Sequence, residues 1–254
     1  MVCNKGSTTY SILGETVRIS IVTAILNSPE IVRRQILHYE KMSLPDDIEI
    51  IYVDDGSVPP LSNVRPLNFD FSFYYTNDSR EWTQPAARNF GVKQASGEFV
   101  IVTDIDHILS RELIDTVYEG QWDVVRFKRE FGVLNVWGGF TQNVDTLVAY
   151  GLPIERIKTR GLKVTPHTNS FAMRRDLYWQ IGGVSEKHVG SGKHPNREEQ
   201  PVKAAYKRLA REGKITVCGD EDRPTIYMIP NGRYCGDKDY NPFGLFHNLE
   251  RMTR

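Results

Sequence analysis

Residues 97–107 read Gly-Glu-Phe-Val-Ile-Val-Thr-Asp-Ile-Asp-His. From Glu98 to Thr103 the run is nearly all apolar or β-branched, as a strand buried on both faces of a parallel sheet should be. Two carboxylates, Asp104 and Asp106, follow it directly. Upstream, Pro85–Ala95 has helical spacing, with Ala87, Phe90, Gly91 and Ala95 on one side. Ser96-Gly97 ends that helix, and Gly97 is predicted to take the left-handed C-terminal cap.

Further back the same alternation repeats. Val17–Leu26 (VRISIVTAIL) is a second buried strand, and Ser28-Pro29-Glu30 opens a helix with serine as N-cap and proline at the first helical position. Ile31, Gln35 and His38 lie along one side of it, and Val32, Ile36, Leu37 and Tyr39 supply a broad apolar face. Ile48–Val53 (IEIIYV) is a strand that stops at Asp54-Asp55-Gly56-Ser57, and Phe71–Tyr75 is another. Strands alternating with helices predict an α/β fold, a doubly wound and mostly parallel sheet. Ligands bind such sheets beyond the carboxyl ends of the strands, where both acidic turns fall.

After Trp122 the pattern changes. Trp122–Phe127 is predicted as a strand, followed by the Gly- and Trp-containing stretch 136–139, a strand at 169–173 and a short helix ending at Gly182-Gly183. Val202–Arg211 is a helix, Ile215–Val217 and Thr225–Ile229 are strands, and the tail from Pro230 is loop. No boundary separates a second domain. The chain reads as one domain over residues 1–254, in two halves, 17–120 and 121–254.

The bulk numbers narrow the function. Lys and Arg total 32 against 32 Asp and Glu, a zero net charge that argues against a protein built to coat nucleic acid. Cys3, Cys218 and Cys235 are too few and too scattered for a disulfide framework or a structural zinc site. There is no run of about 18 apolar residues, hence no expected membrane span. Residues 1–14 lack the apolar centre of a signal peptide, so a cytoplasmic address is expected.

Asp104 and Asp106, one residue apart at a strand end, converge on one cation if the chain turns there, and carboxylate oxygens suit Mg²⁺ or Mn²⁺. The alternative is an acidic turn leading into a helix at Ser110–Gly120. Asp55 is either an ordinary turn residue or an acceptor for the N–H of a nucleobase. Arg88 is either a solvated surface cation or a phosphate ligand near a helix N-terminus.

Together, VRISIVTAI, IEIIYVDDGS and ARNFGVKQASGEFVIVTDIDH resemble the nucleotide-sugar-binding half of family-2 glycosyltransferases with the GT-A fold, over about Val17–His107. The resemblance implies a nucleotide-sugar donor, commonly a uridine one. It implies that Thr23 and Ala24 line the nucleoside pocket, Asp55 reads the base and Arg88 sits near the base or diphosphate. Asp104 touches the ribose or a metal water, and Asp106 binds Mn²⁺ or Mg²⁺. Ile25 stands where many relatives carry a base-stacking aromatic. Asn169–Glu186 resembles the segment before the acceptor site. Relatives then show G-x-G-E-D, whose acidic residue is the catalytic base. Here Glu198 and Glu199 are the displaced counterparts, and the other reading makes them the polar start of the next helix. His247 resembles a late histidine that completes some metal sites, or is a packed residue.

The reaction so implied is a single, inverting displacement. The acceptor is left open between a glycan, a protein side chain, a lipid-linked saccharide and a modified nucleic-acid base, and oligomeric state is not legible. Three rivals stand. A nucleotidyltransferase wants glycines where Leu26-Asn27-Ser28-Pro29 has none, and a phosphatase wants its D-x-D after the first strand. The third is a degenerate module that binds a nucleotide sugar or glycan without turnover.

Overall fold

The computed structural model describes residues 8–10, 17–61, 68–165, 169–191 and 199–230. In chain order the elements begin with β1 (Thr8–Tyr10), β2 (Ile19–Ile25), α1 (Pro29–Met42), β3 (Ile48–Asp54), β4 (Asp70–Tyr75), α2 (Gln84–Gln94) and β5 (Phe99–Asp104). The middle of the chain gives β6 (His107–Leu109), α3 (Arg111–Tyr118), β7 (Val124–Arg126), β8 (Lys128–Phe131), β9 (Val133–Leu134) and β10 (Phe140–Thr141). There follow α4 (Val144–Ala149), α5 (Ile154–Arg160), β11 (Lys163–Val164), β12 (Phe171–Arg174), α6 (Arg175–Gln180), α7 (Gln200–Arg211) and β13 (Thr225–Met228).

Seven strands form the main sheet in the order β1-β4-β3-β2-β5-β12-β7. The four central strands, β4, β3, β2 and β5, are mutually parallel, while β1, β12 and β7 are antiparallel to their neighbours. Strand β2 lies between β3 and β5, so chain order reverses at β2 and leaves a crevice at its carboxyl end. The register places Ile25 beside Asp54 and Ala24 beside Asp104. Both acidic turns therefore flank that crevice. A second sheet, β11-β8-β13-β6, and the β9–β10 pair pack alongside.

Strand alternation divides the core into two layers. Ile19, Ile21 and Ile25 of β2 join Ile31, Val32, Ile36 and Tyr39 of α1 and Leu113, Ile114 and Val117 of α3 on one face. Val22 and Ala24 join Ala87 and Val92 of α2, Leu177 and Tyr178 of α6, and Val202, Tyr206 and Leu209 of α7 on the other. Gly91 permits the close seat of α2, since a Cβ there would lie 2.5 Å from Val22 Cγ1.

Several expectations need correction. Gly97 is not a left-handed cap: α2 ends at Ala95 in extended conformation. Glycine is needed because a Cβ at Gly97 would stand 2.7 Å from the Ser20 backbone nitrogen. Ser28 does occupy the N-cap of α1 with proline following, but its hydroxyl donates back to Leu26 O at 2.7 Å instead of capping. Ile215–Val217 forms no strand, only an isolated bridge from Val217 to Val124. There the Asp123 carboxylate takes the Thr216 N–H at 2.7 Å, so a side chain replaces a ladder bond.

No helix among the described residues is long and apolar enough to cross a membrane. Cys218 is free and buried, while Cys3 and Cys235 lie outside the described residues.

Candidate active site

The first acidic turn divides its labour. Asp54 shapes the loop: its two oxygens accept the Ser57 N–H at 2.8 Å and the Leu61 N–H at 2.9 Å. Asp55 instead faces two hydroxyls, accepting from Thr83 at 2.8 Å and Thr76 at 3.3 Å. It is 3% exposed. Burial pushes its carboxyl up to about 7, against the two threonine hydrogen bonds, which pull it down. Thr23 and Ala24 are both buried at the crevice end of β2, and Ala24 pairs in register with Asp104. Ile25 packs in the core layer of α1, with 1% of its surface exposed.

The second acidic turn is held from two directions. Gln35, on the buried side of α1, donates to Ile105 O at 2.8 Å and His107 O at 2.9 Å, and its own carbonyl accepts from Tyr52 of β3 at 2.7 Å. Ile229, just past β13, donates its N–H to Asp106 O at 2.8 Å. Pinned this way, the chain turns so that the ligand atoms of Asp104, Asp106 and His107 all lie within 4.8 Å of one another. His107 Nδ1 is 3.4 Å from Asp106 Oδ1, 3.7 Å from Asp104 Oδ2 and 3.2 Å from Ser170 Oγ. Its Nε2 is buried with no hydrogen-bond partner among the described residues. Burial holds the imidazole down at about 4, despite the nearby Asp104 charge. At neutral pH it is uncharged and offers a lone pair.

Two carboxylates and a neutral imidazole form a donor set that suits a divalent cation. His107 was missed as a candidate ligand because sequence alone showed only that it adjoins the turn. His247 lies outside the described residues.

Arg88 is wholly buried, which excludes a solvated surface cation. Its guanidinium pairs with Asp104 on one side and donates to Glu199 Oε1 at 2.8 Å on the other. Glu199, immediately before α7, is 2% exposed. It lines a small cavity with Ser170, Phe171 and Tyr206, and it is also the N-cap of α7. Glu198 lies outside the described residues.

Asn89, the next residue of the same motif, went unassigned in the sequence. Its oxygen accepts from Tyr178 Oη at 2.6 Å and Val184 N at 3.0 Å, and its amide donates to Val184 O at 2.8 Å. It ties α2 to the turn after α6, the segment leading toward Glu199.

The pattern of the family described as Glycosyl transferase family 2 matches residues 20–182. Glycosyltransferase GlyG of Streptococcus pneumoniae serotype 4 is 28% identical over 103 residues, which are 40% of this chain and 34% of that protein. The chain thus spans about a third of that relative. The fold superposes on S. aureus TarS with a TM-score of 0.50 at 18% identity, covering 85% of this chain and 37% of TarS. On residues 1–349 of TarS the TM-score is again 0.50, at 20% identity, with 84% and 60% covered. The fold is of the GT-A type.

Proposed function

We propose, for this chain, which belongs to glycosyl transferase family 2, transfer of a sugar from a uridine diphosphate donor to an acceptor hydroxyl by a single, inverting displacement. One observation carries the reading: Arg88 joins Asp104, in the turn that can hold a cation, to Glu199, in the wall of a small cavity. Donor-side and acceptor-side groups thereby share one buried charge network.

Residues 17–120 hold the donor and 121–254 present the acceptor. Asp55 reads the uracil N–H, with Thr23 and Ala24 lining the nucleoside pocket and Asp104 near the ribose. Asp104, Asp106 and His107 are the ligands for Mn²⁺ or Mg²⁺, with His247 the further candidate from the tail. A cation held there supplies positive charge opposite the developing charge of the departing diphosphate. Arg88 fixes the orientation of Asp104 and Glu199 relative to each other. Glu199 takes the proton of the acceptor hydroxyl as it attacks, and Glu198 is the alternative base.

A panel of nucleotide sugars, assayed for donor hydrolysis with Mn²⁺ or Mg²⁺ and with chelator, tests the reading. Hydrolysis of a uridine diphosphate sugar only with metal supports it. Binding without any hydrolysis or transfer would leave a degenerate binding module.

A further inference from the structure

The cavity beside Glu199 runs into a patch of cations. Its wall carries Arg126 of β7, Ser170 and Phe171 at the start of β12, and Lys203 and Tyr206 of α7. Arg126 faces Phe171 across the β7–β12 ladder. Val124, two residues before Arg126, packs in the same layer as Val202 and Tyr206, so strand alternation sends Arg126 toward α7 too. Lys203 follows Glu199 by one helical turn. Arg223, in the loop before β13, lies within electrostatic reach of Arg126, Lys203 and Tyr206.

Counter-charges are sparse around these cations among the described residues. Among the described residues Arg126 and Lys203 form no ion pair, and Arg223 pairs with Asp220, whose side chain is 81% exposed. Glu199, the carboxylate in the cavity wall, is engaged by Arg88. The Nε of Arg223 is buried with no hydrogen-bond partner among the described residues. Burial, then repulsion from Arg126, Lys207 and Arg223, holds the Lys203 ammonium below its usual range. Burial and Arg126 do the same to Arg223. Like charges gathered in a half-buried pocket raise its free energy, and a bound anion offsets that cost. Two guanidinium forks and an ammonium match the several oxygens of a phosphate better than the two of a carboxylate.

We propose that Arg126, Lys203 and Arg223 form a subsite for a phosphate group carried by the acceptor, next to the hydroxyl that Glu199 deprotonates. This rests on the reading of the Glu199 cavity as the acceptor pocket. It makes the acceptor an anionic, phosphate-bearing molecule.

Equilibrium dialysis of the full chain against labelled inorganic phosphate tests the subsite without turnover. Excess chelator is present, so that no metal at Asp106 holds the anion. The expected result is saturable binding that the Arg126→Gln/Lys203→Gln double variant weakens by about tenfold or more. Lys203→Arg keeps it, and so does Lys158→Gln, which removes an exposed cation on α5. No saturable binding, or equal binding by the double variant, overturns the proposal. The donor's own diphosphate is the rival source of the phosphate. Calorimetry with the nucleotide identified by the donor panel separates the two: unchanged affinity in the double variant supports the acceptor assignment, and a comparable loss overturns it. Phosphate binding that persists where no donor is hydrolysed would keep the anion site and reject only the transfer reaction.

Discussion

Glu199 Oε1 accepts a hydrogen bond from Arg88 Nη1 at 2.8 Å, although 111 positions separate the two residues. Arg88 reaches Asp104 with its other terminal nitrogen, so one buried cation serves two carboxylates that are far apart in the sequence. A guanidinium presents its donors in a fixed fork, which an ammonium cannot imitate.

Arg88→Ala is expected to destabilise the protein by about 3–5 kcal/mol, because it removes the buried cation that Asp104 and Glu199 share. Arg88→Lys recovers only part, since a point charge cannot hold both partners in the same geometry. Urea unfolding of the three proteins measures this. A loss below about 1 kcal/mol for Arg88→Ala would place the pair among those that contribute little.

Asp106→Asn keeps the shape of a side chain that is 6% exposed and removes the charge that a cation needs. Its thermal unfolding should stay near wild type. Donor hydrolysis should fall by about 10²–10⁴-fold, the rate equivalent of several kcal/mol of lost charge stabilisation. Full turnover of wild type in excess chelator would remove the metal from the reaction.

The sequence revealed what is local. Strands β2, β3 and β5 are continuous apolar runs and α2 has a clear helical spacing, so these four were legible to within a residue or two, while α1 was legible at its start. Asp54 and Asp55 were legible as a turn. Their division into a loop former and a buried acceptor was not, because it depends on Leu61, Thr76 and Thr83. Asn89 and Gln35 stayed silent for the same reason: their partners, Val184 and the Ile105–His107 backbone, are distant in the chain. Between residues 128 and 164 the elements are two to seven residues long, too short for a periodicity to emerge. They are fixed by packing around Phe131, Leu147 and Leu152 instead.

Asp55 gives stability an unusual pH dependence. Its folded carboxyl titrates at about 7, above the ordinary 3.8. Well below 3.8 both folded and unfolded chains hold the proton, so Asp55 costs nothing. As pH rises the unfolded chain ionises first, and the cost grows until pH passes about 7, where it reaches on the order of 4 kcal/mol. Asp55→Asn cannot ionise, so its melting temperature should exceed that of wild type at pH 8, with the gap closing toward pH 4. Parallel melting curves across that range would refute the assignment. With Asp55 at the base, as proposed, the same ionisation should govern recognition. Affinity for uridine diphosphate in Mn²⁺ should exceed that for the guanosine nucleotide, and should rise as pH passes through about 7. Calorimetry at pH 6 and pH 8 with both nucleotides decides this.

Glu199→Gln separates a base from a brace. An amide accepts no proton, so loss of the base lowers kcat by about 10²–10⁴-fold. Arg88 complicates the reading, because the amide oxygen that replaces the carboxylate would still accept its hydrogen bond but without the charge. A purely structural role would therefore lower the melting temperature and weaken donor binding along with kcat. The expected result for a base differs: donor affinity near wild type, a large fall in kcat, and loss of the acidic limb of the pH–rate profile that an ionising base produces. Glu198→Gln is the control, since adjacent residues on a regular backbone point in different directions. If Glu198→Gln is the dead variant and Glu199→Gln turns over, the roles exchange, and Glu199 is the residue that positions Arg88. If both turn over, the base comes from elsewhere, and Asp237 and Asp239, outside the described residues, are the next carboxylates to substitute. A donor-bound structure adds the geometric criterion. The base must lie within hydrogen-bond reach of the acceptor hydroxyl, on the sugar face opposite the diphosphate, because an inverting displacement brings the nucleophile in from that side.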